Sequence, residues 1–214
     1  MRGRLTRVVS GTTLLLWGAA LGAGGCGATL GTEHFVIQNS SLAPREALIA
    51  LGADLEEERA RVSRFLRREA PTRIVVWVED GNRVANASGG KLNLYAQHGQ
   101  IYAGAAAHEL VHLTTGYTAL PFLEEGLAVY VSEELDPDLT NLFPQVGQPV
   151  DAWVELFRRR DTLIPLDVAF RTQRFDWNLD GLPRDAEAWQ TYVEAEAGSL
   201  VRFVVESKGW EAFW

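Results

Sequence analysis

The sequence has only one cysteine, Cys26, in 214 residues. A single cysteine cannot form a disulfide within the chain, so a small disulfide-stabilised scaffold is excluded. Basic residues are also scarce, because 20 Lys and Arg stand against 28 Asp and Glu, for a formal charge of −8. Such a charge opposes electrostatic binding to nucleic acid or to anionic lipid. The length and the ordinary hydrophobic content predict one modest globular domain.

The sequence also lacks a hydrophobic run of the roughly 20 residues that a transmembrane helix requires. The apolar stretch at residues 8–21 follows three arginines and is followed by the small residues 22–25. This order is typical of a secretory signal peptide. An uncleaved membrane anchor is the alternative interpretation.

Cys26 directly follows this predicted signal. Together with residues 23–25 it resembles the lipobox of bacterial lipoproteins, although Ala23 stands where Leu is usual. The resemblance implies a lipoprotein signal peptide at 1–25, a lipidated Cys26, a tether at 26–33 and a domain at 34–214. The expected location is the extracytoplasmic side of the bacterial cell envelope, with membrane contact through the lipid only. An incidental thiol at Cys26 is the alternative.

Apolar periodicity predicts several strands followed by a mainly helical region. Pro and Gly clusters predict loops at 80–90 and 135–150. In the last helix, Ala188, Tyr192, Leu200 and Phe203 are expected to face inward. The expected strands are 34–37, 73–78, 91–95 and 100–103, and the expected helices are 44–69, 104–114, 121–134, 151–159 and 186–207.

Residues 108–112 read HELVH, within an Ala-rich and apolar helix. Positions i and i+4 share one helix face, so His108 and His112 can present two imidazoles to one metal ion. Glu109 lies beside them as a candidate general base. Catalytic zinc takes three protein ligands and leaves one position open for water, so a third ligand is required. The competing interpretation is a buried helix whose histidines are hydrogen-bonded in the core.

The third ligand separates the classes of zinc peptidase. A metzincin would carry Gly and His at the positions that hold Thr115 and Thr118. The remaining candidates are Glu124 and Glu125, of which only one can face the ion well, because neighbouring side chains on a helix diverge by about 100°.

Residues 122–128, FLEEGLA, resemble the WLxEGxA segment of gluzincins, with Phe in place of Trp. The resemblance extends from residue 34 to the last helix and indicates the peptidase MA-like group. It implies Glu125 as the third zinc ligand and an α+β, zincin-like fold in which a small mixed sheet packs on the HExxH helix. It also implies an oxyanion-stabilising Tyr or His downstream of the third ligand, for which Tyr192 is the candidate. A core aromatic is the alternative for Tyr192, and Tyr117, Tyr130 and His98 are weaker candidates.

The expected function is zinc-dependent hydrolysis of peptide bonds in a peptide or protein substrate, with an endopeptidase as the expected class. No GxMEN-type segment precedes HELVH, which disfavours an aminopeptidase. Residues 208–214 stop where relatives usually continue with a further helix, so the domain is expected to be short at its C-terminus. The competing hypothesis is a non-catalytic relative that binds a peptide or assists envelope assembly.

Overall fold

The computed structural model describes residues 28–83, 85–116, 120–136, 149–171 and 186–214. The predicted signal peptide, Cys26 and Tyr117 lie outside the described residues. Within the described ranges, no helix is long and apolar enough to cross a membrane.

The described strands form one mixed sheet with the order β1-β2-β3-β5-β4, and β6 also pairs with β5. Strands β2, β3 and β5 are parallel, whereas the β1–β2, β4–β5 and β5–β6 pairs are antiparallel. Because β3 occupies one edge of β5, the short strands β4 and β6 share the other edge. The strands are β1 (Ala28–Gly31), β2 (Phe35–Asn39), β3 (Ile74–Asp80), β4 (Asn86–Ser88), β5 (Lys91–Gln97) and β6 (Gln100–Tyr102).

One face of the sheet forms the core. In β3, the side chains of Ile74, Val76 and Val78 are fully buried, whereas the intervening Val75 and Trp77 are only half-buried. The nearly continuous apolar run at 73–78 predicts a buried central strand. The structure confirms the central position of β3 but buries one of its faces more fully, as expected where helices pack on one side of a sheet.

Two short strands were missed by the sequence analysis. Residues 28–31, expected to belong to a tether, form the edge strand β1, which pairs with β2 in the register Ala28↔Asn39. The turn after β1 is held to the first helix because Glu56 accepts hydrogen bonds from the Thr32 hydroxyl (2.6 Å) and the His34 backbone N–H (2.7 Å). Strand β4 lies inside the expected loop at 80–90. With four and three residues, both strands are too short to establish a two-residue apolar period.

The described helices are α1 (Arg45–Leu66), α2 (Ala106–Thr115), α3 (Pro121–Leu135), α4 (Val150–Arg159), α5 (Leu166–Ala169), α6 (Ala186–Lys208) and α7 (Trp210–Phe213). The five predicted helices are confirmed, and the short helices α5 and α7 were not predicted. Helix α1 ends at Arg67, which adopts a left-handed conformation (φ 54°). Pro121 occupies the first turn of α3, where its missing N–H has no helical partner to lose.

Helices α3 and α6 pack closely on each other. A Cβ on Gly126 would lie 2.6 Å from the carbonyl carbon of Ala197, so only glycine permits this approach. The buried row of α6 is Val193, Ala197, Val201 and Val205. The expected inward face was therefore wrong at Phe203, which is 64% exposed.

Candidate metal centre

The HELVH segment forms the middle of α2, where both histidines are buried. The Nε2 atoms of His108 and His112 are 3.1 Å apart and point into the same space. One helical turn separates the two residues, so this convergence follows directly from the i, i+4 spacing. The pair offers two nitrogen ligands to a single ion.

Helix α3 supplies the third group. The Oε2 atom of Glu125 lies 3.3 Å from the Nε2 atom of each histidine. Ligand atoms placed tetrahedrally at about 2.0–2.1 Å from zinc are separated by about 3.3–3.4 Å, so the three atoms fit one zinc ion. Within the described residues, these three form the one cluster of His, Cys, Asp or Glu that could hold a metal.

The adjacent residue on α3, Glu124, also has a buried side chain. It is not one of the three residues whose ligand atoms lie within 4.8 Å of one another. The structure therefore brings Glu125, and not Glu124, to the histidines. The 100° divergence of neighbouring side chains accounts for this difference.

The three groups form a charged cluster in the metal-free protein. Burial alone would lower the pKa of His108, but the hydrogen bond with Glu125 and the charges of Glu109, Glu125 and Glu194 outweigh it and raise that pKa to about 9. Burial also opposes ionisation of Glu125, yet its hydrogen bonds with His108 and His112 hold the pKa of that carboxyl well below 4.5.

Glu109 is buried beside the histidines. Burial raises the pKa of its carboxyl, against the lowering effect of the two imidazoles and of a hydrogen bond with Ala87. In that hydrogen bond, the backbone N–H of Ala87 in β4 donates to Glu109 Oε2 at 2.6 Å.

Two contributors to the site were missed by the sequence analysis. Glu194 on α6 is buried, and its charge raises the pKa of His108. It lies three residues before Ala197, the contact of Gly126, so it belongs to the face of α6 that packs toward α3. Acidic residues inside the apolar stretch 192–201 were the available sequence signal. The backbone of Ala87 left no signal, since any residue type carries the same N–H.

Three of the other sequence candidates, Tyr192, Tyr130 and His98, lie within the described residues. Tyr192 stacks on Phe157 with ring centroids 4.0 Å apart, and no hydrogen bond joins it to the cluster among the described residues. Tyr130 packs edge-on against Phe65 in the core. His98 lies in the turn between β5 and β6, with a positive φ of 51°. An oxyanion-stabilising role for Tyr192 stays a prediction.

The sequence matches no protein-family model and no curated protein.

Proposed function

We propose that the protein is a zinc-dependent hydrolase of peptide bonds, of the gluzincin type. The observation that carries this proposal is the convergence of His108, His112 and Glu125 at 3.1–3.3 Å in a buried site, with Glu109 beside them. Two imidazole nitrogens and one carboxylate oxygen form a donor set that suits catalytic zinc. Calcium and magnesium favour sites built from oxygen alone.

The architecture supports a zincin-like assignment. Helix α2 contacts both β4 and β5, so the HELVH residues lie beside one edge of the mixed sheet. The next helix, α3, supplies the third ligand, and the rest of the described chain is helical.

The chain's own residues then have separate tasks. When bound, zinc supplies a Lewis acid and lowers the pKa of a water molecule toward about 7. The Nε2 atoms of His108 and His112 and the Oε2 atom of Glu125 hold the ion. Glu109 accepts the proton of the attacking water at Oε1 and transfers it to the nitrogen of the leaving amine.

We also propose a cellular location and a class of substrate for this protein. The predicted signal peptide and lipidated Cys26 would place the site on the extracytoplasmic side of a bacterial envelope, where the substrate would be a peptide or protein. The chemistry of three ligands and a base does not depend on that location.

Metal analysis combined with one substitution tests the proposal. We expect the purified protein to contain about one zinc per chain and to cleave a mixed peptide library. Glu109→Gln should retain zinc and lose at least about 100-fold in kcat, because the general base is removed while the ligands stay. Glu124→Gln is the matched control and should retain both properties.

The possible outcomes separate the hypotheses. A folded protein that takes up no zinc would contradict the proposal. Stoichiometric zinc without cleavage of any peptide would instead favour the non-catalytic, peptide-binding relative. Activity that survives Glu109→Gln would contradict the role given to Glu109.

A further inference from the structure

We propose that the main-chain N–H of Ala87 is a positioning group that fixes the carboxylate of Glu109 for proton transfer. The inference rests on the proposed role of Glu109 as general base. The outer edge of β4 then has a functional role, although residue 87 is an alanine and has no reactive side chain.

The direction of the N–H group follows from the strand pairing. Strand β4 pairs with β5 in the register Asn86↔Asn93, Ala87↔Leu92 and Ser88↔Lys91. Successive N–H groups of a strand point to opposite edges. Since the N–H of Ala87 donates to Glu109 Oε2 at 2.6 Å, it points away from β5 and toward α2.

The two residues that flank Ala87 in the chain are both paired with β5. Asn86 and Ser88 belong to the ladder with β5, and the Asn93 side chain donates a hydrogen bond to Asn86 Oδ1 at 2.9 Å. The acceptor is also fixed, because Glu109 lies in the first turn of α2 and is buried. The hydrogen bond thus joins two well-anchored elements.

This arrangement restricts the carboxylate of Glu109. A short hydrogen bond to an ionised group is among the stronger ones in proteins. With Oε2 held by β4, rotation of the carboxylate is restricted and Oε1 keeps one orientation. A base oriented by a third group in this way transfers protons more efficiently than one that rotates freely.

Ala87→Pro removes the donor, because proline has no N–H. Its ring Cδ takes the place of the hydrogen and would also displace the Glu109 carboxylate, whose Oε2 lies 2.6 Å from the nitrogen of residue 87. Ala87→Gly is the matched control because it keeps the N–H. We expect Ala87→Pro to lower kcat about 10- to 100-fold, the effect of one hydrogen bond to a charged group, with KM changed less than about twofold. Ala87→Gly should keep kcat within about threefold, and zinc content should be unchanged in both variants.

A second measurement needs neither activity nor metal. Amide hydrogen exchange of the metal-free full chain should show a protected Ala87 N–H that loses its protection in Glu109→Ala, whereas Asn86 and Ser88 keep theirs. Equal protection of Ala87 in both proteins would overturn the inference, and so would an unchanged kcat in folded Ala87→Pro. If Ala87→Pro does not fold, the exchange comparison decides alone.

The two proposals fail in different ways. A wild-type protein that hydrolyses no peptide contradicts the proposed function, whatever the exchange data show. A wild-type protein that hydrolyses peptides, with an Ala87→Pro variant of equal kcat, contradicts only the positioning role of Ala87.

Discussion

At the scale of single residues, the candidate site depends on two adjacent carboxylates with different environments. Glu125 lies 3.3 Å from both histidine Nε2 atoms and carries a lowered pKa, so it is ionised and ready to bind a cation. Glu124 is also buried, but it does not belong to the group of three candidate ligands. The two residues therefore allow a direct comparison.

We expect Glu125→Gln to weaken zinc binding by more than about 100-fold. Loss of a group that merely hydrogen-bonds a ligand already costs 10- to 100-fold in affinity, and loss of a charged ligand should cost more. Chelator competition gives the dissociation constant. Glu124→Gln provides the control, and equal weakening in both variants would refute the choice of ligand.

A second residue-scale prediction concerns Glu196 on α6. Its carboxylate oxygens accept the backbone N–H of Ile164 at 3.1 and 3.0 Å. Burial nevertheless raises the pKa of Glu196 from 4.5 to about 7, the hydrogen bond with Ile164 opposing it. The folded state thus binds its proton more tightly than the unfolded state.

This shift predicts a pH-dependent loss of stability. The contribution of Glu196 is fully present below pH 4.5 and is lost as the pH rises through about 7. Relative to the wild type, Glu196→Gln should therefore gain free energy of unfolding between pH 5 and pH 8. Urea titrations at both pH values measure the difference, and a constant difference would contradict the raised pKa.

At the scale of elements, the site is assembled where α2, α3 and α6 meet. Helix α2 carries the histidines, α3 carries Glu125, and α6 packs on α3 next to Gly126. Arg202 of α6 also pairs with Glu133 of α3 at 2.8 Å and with Asp151 of α4 at 3.3 Å. The position of Glu125 thus depends on the packing of helices that carry none of the other ligands.

We expect Gly126→Ala to destabilise the protein by about 1–3 kcal/mol, because the new methyl group would clash with the backbone of Ala197. Zinc affinity should fall as well, since Glu125 precedes this glycine. Gly31→Ala is the matched control, as a Cβ there meets nothing within 4 Å. Denaturant unfolding compares the two variants, and equal stabilities would contradict the close packing of α3 on α6.

At the scale of the whole molecule, the proposed binding of zinc would be coupled to folding. An ion that binds the folded state alone stabilises it by about 4 kcal/mol at 1,000 times its dissociation constant. The metal-free protein instead holds a proton on His108, whose pKa is about 9. Zinc requires the neutral imidazole, so it must displace that proton.

Zinc affinity should therefore rise by about tenfold per pH unit between pH 7 and pH 9. Over the same range the metal-free protein loses stability, because the contribution of protonated His108 is complete below pH 6.5 and is lost through about pH 9. Calorimetric titration and thermal unfolding with and without zinc measure both effects. His108→Ala should abolish the zinc-dependent rise in Tm, and an affinity independent of pH would contradict the protonated pair.

The sequence by itself determined the five longer helices, four of the strands and the pairing of the two histidines. The i, i+4 spacing places His108 and His112 on one face of any helix, and Pro121 marks the start of the next helix, because both effects are local to the backbone. The resemblance in residues 122–128 also indicated Glu125, which the structure brings to the histidines.

Only the tertiary structure decided which distant groups meet. It formed β1 and β4 from segments without an apolar period, directed the N–H of Ala87 to Glu109, and buried Glu194 close enough to influence His108. It also buried Val201 and left Phe203 exposed on α6, although both side chains are apolar. These outcomes depend on how helices and strands pack against one another. Local sequence patterns do not specify which residues distant in the chain come into contact.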